Sequence, residues 1–212
     1  MKETFIQKYY PYAREAEKRT GVPTLFALAQ SALESGWGKK TPGHMLFGIK
    51  TGSGKNYGGW EGKSQLITTT EYARSANRSF PFIEPGYPVL TSNGRWKYRI
   101  KDYFRAYTTP FHTFMDWAGL LTKSTRYAIA MKSKSDPYRF AEQVAKAGYA
   151  TDPNYTAKVK RIMRQISQVI KAKGLKKKNS LSHMIPIALT IGGIALVIYG
   201  ITKYKKSSLA FN

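Results

Sequence analysis

Residues 27–38 constrain the fold most, because they predict a helix that must bury one face and then stop. Their sequence is ALAQSALESGWG, in which Leu28, Ala32 and Leu33 recur at helical spacing. Gly36 follows at once, and glycine commonly ends a helix. The chain is therefore expected to pack this helix against a core and to expose only its last turn.

That last turn presents one carboxylate, Glu34, beside the indole of Trp37. The negative end of the helix macrodipole and partial burial both disfavour a second negative charge there, so both raise the pKa of Glu34. A carboxylic acid that stays protonated near neutral pH can act as a general acid. A lone glutamate at a helix end is also a common surface residue, and the local chemistry leaves both interpretations open.

The composition indicates a folded domain with a strongly basic balance. Hydrophobic residues make up 42% of the 212 residues and aromatic residues 14%, which is enough for a substantial core. The sequence has no cysteine, so disulfides and thiolate metal sites are excluded. The formal charge of +23 favours a polyanionic partner, and nucleic acid, anionic lipid and bacterial cell wall all fit that description.

The C-terminal part predicts a membrane anchor. Residues 184–202 read MIPIALTIGGIALVIYGIT and carry no charge, and a helix of 18 residues spans roughly 27 Å, close to a hydrocarbon core. Lysines flank this segment on both sides, which leaves its orientation undecided. We expect a folded domain over residues 1–172, a basic linker over 173–183, a transmembrane helix in the lipid bilayer over 184–202, and a short basic tail over 203–212.

The folded part alternates between helical and strand-like patterns. Residues 3–19 predict a helix, residues 39–65 are glycine-rich and irregular, and residues 64–72 are β-branched like a strand. Asn93-Gly94 between two short apolar runs predicts a hairpin. The middle of the chain is therefore expected to form a small antiparallel β lobe.

Helical patterns return after the β lobe. Thr109, Asp136 and Asp152 each precede a proline, a pair typical of a capping residue followed by the first helical position. The predicted helices cover residues 110–122, 137–147 and 153–172, with a shorter one near 126–131. Helices, a β lobe and more helices give an α+β class, with the cleft between the lobes as the default ligand site.

Glycosidic bond hydrolysis needs a proton donor and usually a second carboxylate. Glu71, at the end of the predicted strand, is the best placed second acid, although a solvent-facing strand residue is an equal alternative. Other acids that could serve are Glu61, Glu84, Asp102 and Asp152. The three histidines show no ligand spacing, and neither a nucleophile elbow nor a phosphate loop occurs, so neither a metal nor a cofactor is expected.

Six short motifs occur in order and carry a family resemblance. They are AQSALESGWG at 29–38, LFGIK at 46–50, TTEY at 69–72, FRAY at 104–107, RY at 126–127 and GYATDPNY at 148–155. Over roughly residues 5–170 the chain resembles the flagellar-type glucosaminidase family of peptidoglycan hydrolases, glycoside hydrolase family 73. The resemblance implies a lysozyme-like α+β fold for residues 1–172. It also implies cleavage of the β-1,4 bond on the reducing side of N-acetylglucosamine in peptidoglycan glycan strands.

The motifs also imply roles for individual residues. Glu34 is similar to the essential general acid of the family, and Glu71 matches a β-lobe glutamate proposed as its partner. Tyr149 matches an active-site tyrosine that supports the transition state or the acetamido group of the substrate.

Substrate-binding positions are expected in and after these motifs, at Trp37, Phe47, Gly48, Trp60 and Tyr155. Aromatic rings on a glycine-rich rim suit stacking on sugar rings, and packing within the lobe is at least as probable for any one of them.

One segment departs from the pattern of many relatives. Residues 73–102 are long, aromatic and proline-rich, and they could lengthen the β lobe, add a wall-binding surface or move Glu71. The mechanism therefore stays open. Carboxyl groups about 6.5–9.5 Å apart indicate inversion and about 5–5.5 Å retention. If neither applies, the acetamido group of the substrate could be the nucleophile.

The sequence leads to a membrane-anchored peptidoglycan hydrolase as the expectation, with no nucleic-acid partner. The N-terminal MKETFIQK lacks the apolar region of a cleavable signal peptide. An anchored wall-degrading domain of this kind suggests a bacteriophage enzyme for entry or lysis, located in a virion membrane or the host cell membrane. The competing source is a bacterial enzyme exported by a route that the sequence does not show. The alternatives are a lytic transglycosylase and a non-enzymatic, membrane-tethered wall-binding protein.

Overall fold

The chain forms helices, then a small sheet, then further helices. The computed structural model describes residues 1–52, 56–150 and 152–175. The regular elements are α1 (Lys2–Thr20), α2 (Thr24–Ser35), a 3-10 turn (Pro42–His44), β1 (Ser64–Ala73), β2 (Phe82–Ile83), β3 (Val89–Leu90), β4 (Trp96–Arg105), α3 (Pro110–Lys123), a 3-10 turn (Thr125–Tyr127), α4 (Ala128–Lys132), α5 (Pro137–Lys146) and α6 (Tyr155–Ala172). The predicted α+β class is confirmed.

Helix α2 is buried along most of its length, as its apolar pattern predicts. Phe26, Leu28 and Ala29 are fully enclosed, and the helix packs against both α1 and α6. Gly36 ends it with a left-handed backbone, φ 59°, which glycine adopts without the steric cost that a Cβ brings. Glu34 is thus held on the last turn of a helix that the core fixes in place.

Aromatic stacking organises the centre of the helical lobe. The indole of Trp117 on α3 is 1% exposed and lies parallel to the ring of Phe47, with centroids 4.4 Å apart. Phe26 of α2 contacts the same indole at 5.7 Å. These contacts join α2, α3 and the loop that follows α2 into one core.

The sheet has the order β1-β4-β2, and β3 also pairs with β4. Strands β1 and β4 run antiparallel with Thr69 opposite Ile100 and Glu71 opposite Tyr98. Side chains alternate between two faces, as a strand period of two requires. Tyr98 and Ile100 are buried on the inner face, which is turned toward the helical lobe, whereas the intervening residues are exposed.

A buried ion pair joins the end of β4 to α3. Both oxygens of Asp116 accept hydrogen bonds from Arg105 Nη1, at 2.9 and 2.8 Å, and neither side chain is exposed. Tyr107 donates to the same carboxylate at 2.8 Å, and the backbone N–H of Tyr57 donates at 3.3 Å. Gly59 lies so close to α3 that a Cβ there would sit 2.3 Å from backbone atoms.

The local predictions are mostly confirmed. The Asn-Gly hairpin joins β3 to β4, Thr109 accepts a hydrogen bond from the backbone of His112, and Asp136 accepts two backbone N–H groups at the start of α5. The prediction that Asp152 caps a helix starting at 153 is wrong. That helix begins at Tyr155, because the Asp152 carboxylate instead accepts the Asn154 N–H in a turn and pairs with Lys158.

The predicted anchor at residues 184–202 lies outside the described residues, as do the tail at 203–212 and most of the basic linker. Among the helices of residues 1–52, 56–150 and 152–175, none is long and apolar enough to cross a membrane.

Candidate active site

A groove of about 630 Å³ lies between the two lobes and contains Glu34. The end of α2 and the loop after it form one wall, and the sheet forms the other. The residues lining the groove are Glu34, Lys40, Pro42, Met45, Leu46 and Gly48 on the helical side, with Ile67, Thr68, Thr69, Thr70, Arg99 and Phe104 on the sheet side. Glu34 is the acidic residue of this lining.

The carboxyl group of Glu34 has the raised pKa that the sequence predicts. The residue is open to the groove, but protein atoms surround much of its carboxylate, and this loss of water contact raises its pKa. Gln30 Nε2 donates a hydrogen bond to Glu34 Oε1 at 2.8 Å, which acts in the opposite direction and only partly offsets the burial. Glu34 can therefore keep its proton to a higher pH than an ordinary glutamate.

Gln30 holds this carboxylate in place. Its side chain lies one helical turn before Glu34 and is fully buried. The hydroxyl of Tyr155 donates to Gln30 Oε1 at 2.7 Å, while the amide nitrogen donates to Glu34. Because both ends of the amide are engaged, its orientation is fixed, and so is the side of Glu34 that it contacts.

Tyr149 adds a neutral hydroxyl near the acid. The indole N–H of Trp117 donates to the Tyr149 hydroxyl at 2.8 Å, so the hydroxyl proton is left to donate elsewhere. Burial raises the pKa of Tyr149, and the negative charge of Glu34 adds to that effect. The hydroxyl therefore stays protonated across the physiological range.

Glu71 has a different environment on the inner face of the sheet. Lys50 Nζ lies 3.1 Å from Glu71 Oε1 and 2.9 Å from Asp102 Oδ2, so one cation serves two carboxylates. Burial acts to lower the pKa of Lys50, but hydrogen bonds and charges from Asp102 and Glu71 outweigh it, and the net shift is upward. Thr69 lines the groove, and Glu71 lies two residues further along β1, on the same face of the strand.

The predicted substrate-binding residues are separated by the fold. Gly48 lines the groove with a left-handed backbone, φ 60°. Phe47 is packed in the core against Trp117, so its expected stacking on a sugar is wrong and the packing alternative is correct. Tyr155 is also buried, so a direct substrate contact is corrected to a contact with Gln30.

The two tryptophans that were predicted to bind substrate, Trp37 and Trp60, do not line the groove. Trp37 packs edge-on against Phe5 and lines a separate cavity of about 460 Å³ with Lys2 and Arg161. That cavity does not contain Glu34, so we place the chemistry in the larger groove. Trp60 donates its N–H to the backbone of residue 63, and its ring lies under the guanidinium of Arg105. Both positions differ from the expected substrate contacts because neighbouring side chains engage the rings.

Three residues that hold the site were not predicted. Gln30 lies four residues before Glu34, a spacing that places both side chains on one helix face and could have indicated the contact. Lys50 belongs to the LFGIK motif, yet its two carboxylate partners depend on sheet pairing. Trp117 gives no local signal of its contact with Tyr149. Among the described residues, no cluster of three or more histidine or acidic side chains is arranged to hold a metal ion.

Comparison with known proteins gives the same family. A family model described as mannosyl-glycoprotein endo-β-N-acetylglucosaminidase matches residues 10–168. The peptidoglycan hydrolase FlgJ of Pseudomonas aeruginosa is 36% identical over 181 residues, which are 81% of this chain and 39% of that protein. FlgJ of Escherichia coli K12 is 34% identical over 174 residues, which are 79% of this chain and 47% of that protein. The chain spans less than half the length of these two relatives.

Solved structures agree with the sequence match. The glycoside hydrolase domain of Salmonella typhimurium FlgJ, C-terminally truncated, superposes with a TM-score of 0.59 at 31% identity over 79% of this chain and 99% of that domain. A peptidoglycan hydrolase mutant from Sphingomonas sp. A1 also gives 0.59, at 33% identity over 80% of this chain and 99% of its own. The fold, the groove and the matched residues lead to one conclusion: the chain belongs to the glucosaminidase family, glycoside hydrolase family 73.

Proposed function

We propose that this protein is an endo-β-N-acetylglucosaminidase that cleaves β-1,4 bonds of peptidoglycan glycan strands. The observation that carries the proposal is a carboxyl group of raised pKa, Glu34, in a groove between the lobes of a glucosaminidase fold. The similar FlgJ proteins and the Sphingomonas enzyme are named peptidoglycan hydrolases. A groove open at the surface also suits a polymer, which must enter from the side.

Glu34 acts as the general acid in this proposal. Its carboxyl proton passes to the glycosidic oxygen as the bond to the anomeric carbon breaks, and the new hydroxyl leaves on the departing sugar. The raised pKa supports this role, because a proton donor must carry its proton at the working pH. Gln30 fixes the unreactive side of the carboxyl group through a neutral hydrogen bond.

Glu71 is proposed as the second carboxylate, which activates water or stabilises the positive charge at the anomeric carbon. The contact with Lys50 at 3.1 Å holds the Glu71 carboxylate in place on the inner face of the sheet. The Tyr149 hydroxyl is proposed to donate a hydrogen bond to the substrate, whose acetamido group is a suitable acceptor. If the acetamido group is itself the nucleophile, Glu71 orients it instead of attacking.

The products of digestion test the activity and its specificity. Purified peptidoglycan is digested, and the fragments are reduced with borohydride and identified by mass spectrometry. We expect new reducing ends on N-acetylglucosamine and no activity in the Glu34→Gln variant. New reducing ends on muramic acid would contradict the bond specificity, and 1,6-anhydro-muramyl ends would show a lytic transglycosylase. Intact peptidoglycan that is bound without cleavage would show a wall-binding protein.

The same proposal includes a membrane anchor at residues 184–202, supported by the absence of charge there and by the lysines on both sides. The full chain should float with liposomes. A chain truncated after Leu175, which packs on the core just beyond α6, should not. Membrane association of the truncated chain would contradict the anchor.

We further propose that the anchored enzyme serves phage entry or lysis, in a virion or host membrane. Purified particles should contain the protein if it acts in entry. Its synthesis should precede lysis of infected cells if it acts in release.

A further inference from the structure

The outer face of the sheet, turned away from the helical lobe, carries three large exposed rings. Tyr72 is 48% exposed, Phe82 49% and Tyr103 43%. Their pairing partners place them on one face: Tyr72 is opposite Lys97, Phe82 is opposite Lys101, and Tyr103 is opposite Leu66. Directly paired residues project to the same side of an antiparallel sheet, so the three rings share this surface.

Basic side chains lie between these rings. Lys97, Arg99 and Lys101 alternate along β4 at a spacing of about 7 Å, and Lys97 and Lys101 carry their side chains on the outer face. Arg99 pairs with Glu84 at 2.8 Å. The surface therefore combines flat apolar rings with cations, and we call five residues, Tyr72, Phe82, Lys97, Lys101 and Tyr103, the outer-face patch. Arg99 lines the groove and is not part of the patch.

The outer-face patch is built largely by the segment that the sequence singled out. Residues 73–102 supply β2, β3 and most of β4, and with them Phe82, Lys97 and Lys101. The opposite face of the same sheet supplies Ile67 and Thr69 to the groove wall. None of the five patch residues is among the residues that line the groove.

We propose that the outer-face patch is a second binding surface for peptidoglycan, distinct from the groove. The apolar faces of the sugar rings would stack on the tyrosines and the phenylalanine, and the carboxylates of the peptide stems would pair with the cations. Peptidoglycan is the proposed ligand because it bears both sugar rings, which match the aromatic rings of the patch, and negative charges, which match its cations. This inference rests on the proposed function. The patch would bind the enzyme to glycan strands next to the one that it cleaves.

The test measures binding without cleavage. The full chain carrying Glu34→Gln is sedimented with peptidoglycan sacculi freed of accessory polymers, alone and with Lys97→Glu and Lys101→Glu added. The added changes should weaken binding about tenfold. The control pair Lys132→Glu and Lys171→Glu makes the same change of net charge on exposed positions of the helical lobe and should leave binding within about twofold.

A second pair of substitutions, Phe82→Ser and Tyr103→Ser, tests the rings separately from the charges. It should also weaken sacculus binding, while hydrolysis of a short soluble glycan by the chain with Glu34 intact should be unchanged. Folding of each variant is checked by its melting temperature. Unchanged sacculus binding in both patch variants would overturn the proposal, and so would equal losses in the control pair.

Duplex DNA and anionic vesicles serve as competing ligands in the same assay. If the patch variants lose binding to either of these while still sedimenting with sacculi, the surface recognises nucleic acid or lipid and the proposal is wrong. Because the assay uses a chain without the acid, its result does not depend on whether the groove cleaves peptidoglycan.

Discussion

Glu34 and Glu71 lie on opposite lobes in opposite electrostatic surroundings. Glu34 accepts a hydrogen bond from the neutral amide of Gln30, and loss of water raises its pKa. Glu71 faces the ammonium group of Lys50 at 3.1 Å, with Asp102 on the other side of that cation. One lobe thus gives its carboxyl group a neutral hydrogen-bond partner and a raised pKa, whereas the other places a cation beside its carboxylate.

The difference follows from the elements that carry the two residues. Helix α2 is enclosed by the core, so the hydrogen-bond partner of Glu34 on that helix, Gln30, is buried and neutral. Strand β1 lies at the edge of a small sheet whose inner face is only partly covered, so a long lysine side chain can reach both acids.

Replacement of Glu34 by Gln should have the largest effect on activity. The variant keeps the shape and the contact with Gln30 but has no proton to give, so kcat should fall about 10³-fold. Clearing of a peptidoglycan suspension measures it. Glu15→Gln, which removes a half-buried carboxylate of α1 that does not line the groove, should retain wild-type rate. A Glu34→Gln variant that clears the wall normally would contradict the acid assignment.

Replacement of Glu71 by Gln should lower kcat about 10²-fold if this carboxylate acts on water or on the anomeric carbon. Asp102→Asn is the matched control, because it removes the other partner of Lys50 and leaves Glu71 in place. The control should lose much less activity. Equal losses in the two variants would show that only the charge balance around Lys50 matters, and azide rescue of Glu71→Gln would identify a nucleophile.

Replacement of Tyr149 by Phe should lower kcat about tenfold, since it removes one neutral hydrogen bond to the substrate. KM for a short glycan should change less than kcat if the bond forms mainly in the transition state. Trp117→Phe removes the donor that orients the hydroxyl and should give a smaller loss. A Tyr149→Phe variant with wild-type kcat would restrict this residue to packing.

The smallest expected effect is a shift of the pH profile. Activity should fall as the pH rises through the raised pKa of Glu34, because the ionised acid cannot protonate the leaving oxygen. Gln30→Met removes a hydrogen bond that lowers this pKa, so the alkaline limb should move to higher pH. Measured kcat/KM from acid to alkaline pH tests the direction. If the alkaline limb does not move, a group other than Glu34 determines it.

The order of elements and the acid could be predicted because their signals are local. Apolar spacing, capping pairs and an Asn-Gly turn each act within a few residues. The pKa of Glu34 is raised first by burial, which the apolar pattern of its own helix indicates. The contact between Tyr155 and Gln30 spans 125 residues, so no local pattern indicates that the buried amide is held from α6.

Whether an aromatic ring faces the groove or the core was the least accurate prediction, because it also depends on contacts that are distant in sequence. Phe47 and Trp60 lie in similar glycine-rich sequence, yet one ring stacks on Trp117 and the other on the guanidinium of Arg105. Each contact depends on a partner supplied by a later element. Burial, which decides whether a ring can meet a sugar, is a property of the assembled lobes.

The carboxylate of Asp116 also has a thermodynamic consequence. It receives hydrogen bonds from the end of β4, from Tyr107 and from the backbone of Tyr57, so a strand, a linker and a loop share one acceptor on α3. Substitutions at Arg105 and Tyr107 should therefore be strongly non-additive in a double-mutant cycle, because each changes the same carboxylate. Strand, linker and loop are expected to unfold as one cooperative unit.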